Sequence, residues 1–280
     1  VAARRYVPVS APGGQSAGKS ARLDLVGLAL AAVFTVCLLN GAVGLRVLPV
    51  AEAAALLAVA LVALAAFVAW QRRVMARSTQ GGVAPLVHLD IFRNRSFQLG
   101  SGVTLIYGVS LYGSTYLMPV YMQTALGLSP SLVGVVMLPA GLMLSATMGV
   151  VGRLASRFAP AHMLQAGLVG LFLAFNAMWL MHWTLSIALL VMLAVSNRIA
   201  LGFTMPNMQV TALGDLDKGL MAYAASSVNF LRMLGGAVGI GLVGVLLDWR
   251  LAAAGEQASQ AARMVAFHEV FSLLGLLCGV

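Results

Sequence analysis

Residues 185–210 read LSIALLVMLAVSNRIALGFTMPNMQV, twenty-six positions with a single charge, Arg198, near the middle. About 20 predominantly apolar residues suffice to carry a helix across the ~30 Å hydrocarbon core of a bilayer. Working outward in windows of that length, the same reading recurs, and eight spans are expected. They fall near Leu23–Leu45, Glu52–Trp70, Phe97–Ala125, Ser131–Gly152, Ala161–Trp183, Leu185–Val210, Met221–Trp249 and Met264–Val280. Over all 280 residues, 61% are hydrophobic and 9% charged. Soluble chains are about 45–50% apolar and about 25% charged. That difference excludes a cytosolic enzyme, a disordered segment and a secreted disulfide scaffold. The fold class is all-α, a polytopic membrane protein. Cys37 and Cys278 lie within spans and read as packed hydrophobes.

Charge sets the expected orientation. Arg4, Arg5, Lys19 and Arg22, then Arg72, Arg73, Arg77, Arg93 and Arg95, then Arg153 and Arg157, then Lys218 fall on one side. Arg46, Arg250 and Arg263 fall on the other, and Arg198 and Arg232 within spans. Twelve against three places the first side in the cytoplasm, because basic residues in short loops resist translocation. The net charge of +9 is then explained by loops facing anionic lipid, and no nucleic-acid partner is expected. Residues 1–22 read as a cytoplasmic linker, 23–70 as a helix pair, 71–97 as a cytoplasmic loop and 98–280 as a six-helix bundle. Within the loop, Pro85–Phe97 reads either as a short interfacial helix or as solvated chain. Val1 is not an initiator residue and the last apolar run reaches Val280, so the sequence reads as a piece of a longer polypeptide.

Charges within spans are expensive and are functional candidates by default. Arg198 shares a helical face with Gly202, Met205 and Gln209, and Arg232 shares one with Ser226, Asn229 and Gly236. For each arginine the alternatives are a transport role and a structural tie to backbone or neighbouring helices. A guanidinium stays protonated in proteins, so neither arginine can be a proton carrier. No carboxylate falls mid-span: Asp24, Asp248 and Glu269 lie near predicted span ends. A titratable coupling group is therefore expected outside this sequence, or at Asp24 or Glu269 should those helices sit deeper. Thr104, Gly108, Tyr112, Thr115 and Tyr116 line one face of their span, with adaptable aromatic surface suited to variable greasy ligands. Gly235, Gly236 and Gly239 form a small-residue run that permits close helix contact or bending. Residues 13–20, GGQSAGKS, match a phosphate-loop pattern, but no strand precedes them and a span follows at once, so the match is read as chance. No metal-spaced cluster, nucleophile–base pair or cofactor motif is present.

Seven stretches together resemble one family. They are Pro85–Phe97, Tyr112–Gln123, Leu138–Gly141, Gly152–Phe158, Arg198–Gly202 with Met205-Pro206, Asn229–Gly236 and Ala266–Phe271. In this order they resemble the drug:proton antiporters of the EmrB/QacA type, fourteen-helix members of the major facilitator superfamily. The resemblance covers roughly residues 20–280. It implies that the first two spans are the extra central pair and the last six the C-terminal bundle, with the N-terminal six-helix half as the missing partner. It also implies residence in the bacterial inner membrane and proton-coupled efflux of small hydrophobic or amphipathic substrates by alternating access. Arg198 would serve proton transfer or gating, and Arg232, Asn229, Tyr112, Tyr116, Met205 and Gln209 the substrate path. Gly152, Arg153, Ser156 and Arg157 occupy the family's cytoplasmic turn motif, with Gly235, Gly236 and Gly239 as a second gating element. Ser156 stands where the family carries Asp, and a hydroxyl cannot form the inter-helix charge pair attributed to that residue. This departure supports the alternative of a non-transport membrane scaffold or degenerate remnant. A lipid-acting membrane enzyme is a third class, for which the sequence shows no catalytic constellation.

Overall fold

A computed structural model describes residues 24–78, 83, 85–178, 186–214, 216–217, 219–255 and 260–279. Among them there is helix and no strand. In chain order the helices are α1 (Leu25–Val47), α2 (Val50–Ser78), α3 (Arg95–Thr124), α4 (Pro130–Leu154), α5 (Pro160–Asn176), α6 (Ile187–Leu213), α7 (Met221–Ala254) and α8 (Gln260–Gly279). Local chemistry marks several ends. Asp24, Asn94 and Ser129 cap α1, α3 and α4 by accepting from the amides of Gly27, Phe97 and Leu132, and Pro130 and Pro160 open α4 and α5. Gly127 and Gly255, with φ of 67° and 87°, turn the chain out after α3 and α7.

Six helices (α1, α2, α4, α6, α7 and α8) are both long and apolar enough to cross a membrane. Two of the eight expected spans fall short of that test. α3 has thirty residues but carries many hydroxyl groups, several of them buried against other helices (Ser101, Thr104, Ser110 and Ser114). α5 is described for seventeen residues, and its expected end at Trp183 lies outside the described residues. So do the linker at 1–22 with its phosphate-loop-like run, and Asp215, Lys218, Glu256 and Val280.

Boundaries differ from the sequence reading in several places. α2 runs on past Trp70 to Ser78, through Arg72, Arg73 and Arg77. Helix continuation needs only backbone bonds and good helix formers, not lipid. α7 likewise passes Trp249 to Ala254. Within Pro85–Phe97 only a 3-10 turn, Leu89–Arg93, forms, with Ile91 buried. Asn94 ends it by capping α3, leaving too short a segment for an interfacial helix.

α3 packs against α7, α4 against α6, and α5 against both α6 and α8; α3 also meets α6 and α8. Exchanging α3 with α6, α4 with α7 and α5 with α8 carries the α3–α7 contact onto α6–α4 and the α5–α6 contact onto α8–α3. The α3–α6 and α5–α8 contacts map onto themselves. These contacts thus pair two three-helix units, while the α7–α8 contact has no comparable α4–α5 counterpart. The core of the bundle joins Leu117 and Tyr121 of α3 to Leu171 and Phe175 of α5, Leu201 of α6 and Phe267 and Phe271 of α8. The α1–α2 hairpin lies beside this bundle, with α1 against α7. Burial follows the arrangement: 44–50% of the apolar windows of α6, α7 and α8 is inside, against 22–28% for α1, α2 and α4.

Candidate functional site

Arg198 is the twelfth residue of α6, about 16 Å along its axis, and it is buried. Its Nη1 donates to Thr115 Oγ1 of α3 at 3.1 Å. Thr115 places its own proton on the Leu111 carbonyl, 2.6 Å away, which leaves its oxygen lone pairs for the guanidinium. The arginine is thereby aimed at α3 through one of its five N–H donors.

A second guanidinium lies across the α6–α7 contact. Arg232 Nη2 donates to Asn229 Oδ1 one turn earlier on α7, at 2.6 Å. Its Nη1 approaches Met205 Sδ of α6 at 3.9 Å, and its Nε is buried with no hydrogen-bond partner. On α3, Tyr112 donates its hydroxyl to Met233 Sδ of α7 at 3.3 Å. These contacts close a ring. Thr115 and Tyr112 lie one turn apart on α3, Met233 adjoins Arg232 on α7, and Met205 lies two turns from Arg198 on α6. Two turns of helix rise about 10 Å, so the two guanidinium groups occupy one face of limited depth. Tyr107 of α3 is within coulombic reach of both. Tyr116 and Gln209, each one turn further along, are half-buried on the same helix faces, and Asn229, Thr115 and Met233 are exposed. The face is open on the side away from the bundle core.

The glycines on α7 make this geometry sterically accessible. A β-carbon on Gly235 would overlap the backbone of Leu105, and one on Gly239 would stand 2.7 Å from Val109 Cα. Across the crossing, a β-carbon on Gly108 would stand 2.9 Å from the Gly236 nitrogen. At Gly236 the space belongs to the Tyr112 ring, which holds the tyrosine over α7 with its hydroxyl on Met233. In this structure the run is therefore occupied as a close backbone crossing. Gly152, Arg153, Ser156 and Arg157 are placed elsewhere, exposed at the turn between α4 and α5. There Ser156 Oγ donates to the Arg153 carbonyl at 2.9 Å, and the amides of Arg157 and Phe158 return to Leu154. A β-carbon on Gly152 would meet nothing within 4 Å.

Asp24 and Glu269 are the two carboxylates singled out near span ends. Asp24 stands at one, as the N-cap of α1, and is buried with both oxygens engaged. Its Oδ1 accepts from the Gly27 amide (2.8 Å) and Trp70 Nε1 (2.9 Å), and its Oδ2 from Gln71 Nε2 (2.7 Å). Gln71 Oε1 in turn accepts from the amides of Leu86 and Val87. An Asp directly before an apolar run was the available signal for the cap; nothing local announced its partners 46 and 47 residues away. Glu269 is the tenth of twenty residues in α8, because that helix starts at Gln260 rather than near Met264. It pairs with Arg250 of α7 at 3.0 Å.

Comparison with known proteins agrees with this architecture. Residues 22–240 match the family model described as Major Facilitator Superfamily. Among curated relatives, "Colistin resistance protein EmrB" of Acinetobacter baumannii is 28% identical over 63% of this chain and 34% of its own length. "Putative multidrug resistance protein MdtD" of Klebsiella pneumoniae is 29% identical over 81% of this chain and 47% of its own. "Fatty acid resistance protein FarB" of Neisseria gonorrhoeae is 26% identical over 68% and 36% respectively. The chain thus spans a third to a half of the length of these relatives. With a family match across most of its residues, on a bundle of paired three-helix units, the chain belongs to the Major Facilitator Superfamily.

Proposed function

We propose that this chain is the C-terminal part of a proton-coupled exporter of small hydrophobic or amphipathic compounds. Eight helices cross the bacterial inner membrane, with residues 1–22 and the α4–α5 turn on the cytoplasmic side. α3–α8 form one six-helix half, and α1–α2 the central pair. A complementary half, supplied by the longer protein, faces the open side of α3, α6 and α7. Rocking of the two halves exposes the face alternately to cytoplasm and exterior.

One observation carries this reading: the ring of polar contacts through Arg198, Thr115, Tyr112, Met233, Arg232 and Met205 joins three helices on a face the bundle leaves open. Intramembrane arginines with this placement serve a polar passage better than a sealed core. Multidrug, colistin and fatty acid resistance in the relatives' names supports export, here carried over to this chain. Neither arginine can shuttle protons, so coupling falls to a carboxylate. Glu269, set into α8 and held by Arg250, is the candidate within this chain, and the complementary half is the other source.

The test is made in the full-length transporter. Arg198→Ala is expected to abolish efflux across a panel of hydrophobic and amphipathic dyes while membrane insertion, followed by immunoblot, is kept. A protonophore is expected to stop efflux by the unaltered protein. Unchanged efflux in the variant refutes the role of Arg198; efflux indifferent to the protonophore refutes proton coupling. The scaffold alternative draws on Ser156, whose hydroxyl donates to the Arg153 carbonyl of its own turn. It would leave cells expressing the full-length protein with no efflux above background.

A further inference from the structure

We infer that the compound handled at the α3–α6–α7 face is an amphipathic anion, a substrate class that rests on the transport reading above and sharpens it. Two guanidinium groups share that face, and their partners are all neutral: a hydroxyl for Arg198, an amide and a thioether for Arg232. The Nε of Arg232 is buried with its donor unused. Among the described residues no carboxylate pairs with either arginine. Asp24 is held by Trp70 and Gln71, Asp90 by His88 and Arg93, and Glu269 by Arg250. Glu52 lies in the first turn of α2, and Asp217 follows the end of α6. Asp248 is sixteen residues beyond Arg232 on α7, about 24 Å along the helix.

Neutral partners orient a guanidinium without cancelling its charge, so the face keeps a positive potential that the surrounding hydrocarbon leaves poorly screened. A carboxylate, sulfonate or phosphate matches the planar fork of donors on each arginine. A cationic compound would meet two like charges there. The remaining lining supplies the amphipathic half of the match. Tyr112, Tyr116, Met205 and Met233 offer aromatic and thioether surface that adapts to an apolar body of variable shape. The Tyr112 hydroxyl, seated on Met233 beside Arg232, adds a polar group to the same face.

The experiment uses the full-length transporter in inside-out membrane vesicles and three probes that share a pyrene ring and carry an anionic, a cationic or a neutral headgroup. These are 1-pyrenesulfonate, (1-pyrenylmethyl)trimethylammonium and 1-pyrenemethanol, whose charges do not change with pH. Transport of the sulfonate is expected to exceed that of the ammonium by about tenfold or more. Arg198→Gln and Arg232→Gln are each expected to lower sulfonate transport by about tenfold, with Arg→Lys at the same positions losing less because the charge remains. Equal or faster ammonium transport, or transport of the neutral probe alone, overturns the anion assignment and leaves the exporter reading standing. So does wild-type sulfonate transport by both Gln variants at normal membrane abundance. Transport of none of the three overturns both. If the Gln variants do not insert, the comparison of probes in the unaltered protein decides.

Discussion

At the scale of single residues, Asp24 shows how much one carboxylate can organise. It closes the first turn of α1, accepts from the indole of Trp70 and the amide of Gln71, and through Gln71 fastens the chain at Leu86 and Val87. Asp24→Ala removes the acceptors and leaves buried donors on Trp70 and Gln71 without partners. Stranding a buried polar group costs about 1–3 kcal/mol. The variant is therefore expected to unfold at lower denaturant in detergent micelles, by a margin of that order. An unchanged midpoint would show that the network contributes nothing. Arg198 and Arg232 are the opposite case, held by one and two neutral partners respectively.

Between elements, the α3–α7 crossing depends on glycine. Apolar helices in lipid gain little from hydrophobic burial against one another, so close packing has to supply the attraction. Gly108, Gly235, Gly236 and Gly239 let the backbones approach, and they seat the Tyr112 ring. Gly235→Val or Gly239→Val forces the helices apart at a cost of about 1–3 kcal/mol, as overpacking does in other cores. A drop in the thermal unfolding midpoint is expected for both. Gly141→Ala on α4 is the control. A β-carbon there meets nothing within 4 Å, and alanine is the better helix former, so its midpoint should stay level or rise. Equal losses at all three positions would refute the crossing as the cause.

For the whole molecule, the contacts of α3 and α5 with both α6 and α8 tie α3–α8 into one six-helix bundle. Ser110 Oγ of α3 and Cys278 Sγ of α8 stand 3.0 Å apart inside it, linking the first three-helix unit to the second. Ser110→Cys should therefore form a disulfide with Cys278 under mild oxidation, detected as a reducible gel-mobility shift. Under the proposed rocking of whole halves, this cross-link is expected to leave export by the full-length protein running. Export that stops on oxidation and returns on reduction would mean that the bundle itself must flex.

Much of this was legible before any coordinates. Long apolar runs with few charges commit the backbone to helix across lipid, because no other open structure satisfies every amide there. The same runs, with their motifs in order, carried the family resemblance, and the two arginines stood out by their cost. α3 falls short on hydropathy because it carries many hydroxyl groups, several of which, such as Ser110 and Ser114, are buried inside the bundle. Which face of each helix meets which neighbour was decided only in three dimensions. A helix that is apolar all round carries almost no directional signal, so close packing between residues far apart in sequence sets its rotation. That rotation brought Thr115 to Arg198, Met205 to Arg232 and Trp70 to Asp24. It also put the Gly235–Gly239 run into a helix crossing and brought both guanidinium groups to the side shared by α3, α6 and α7.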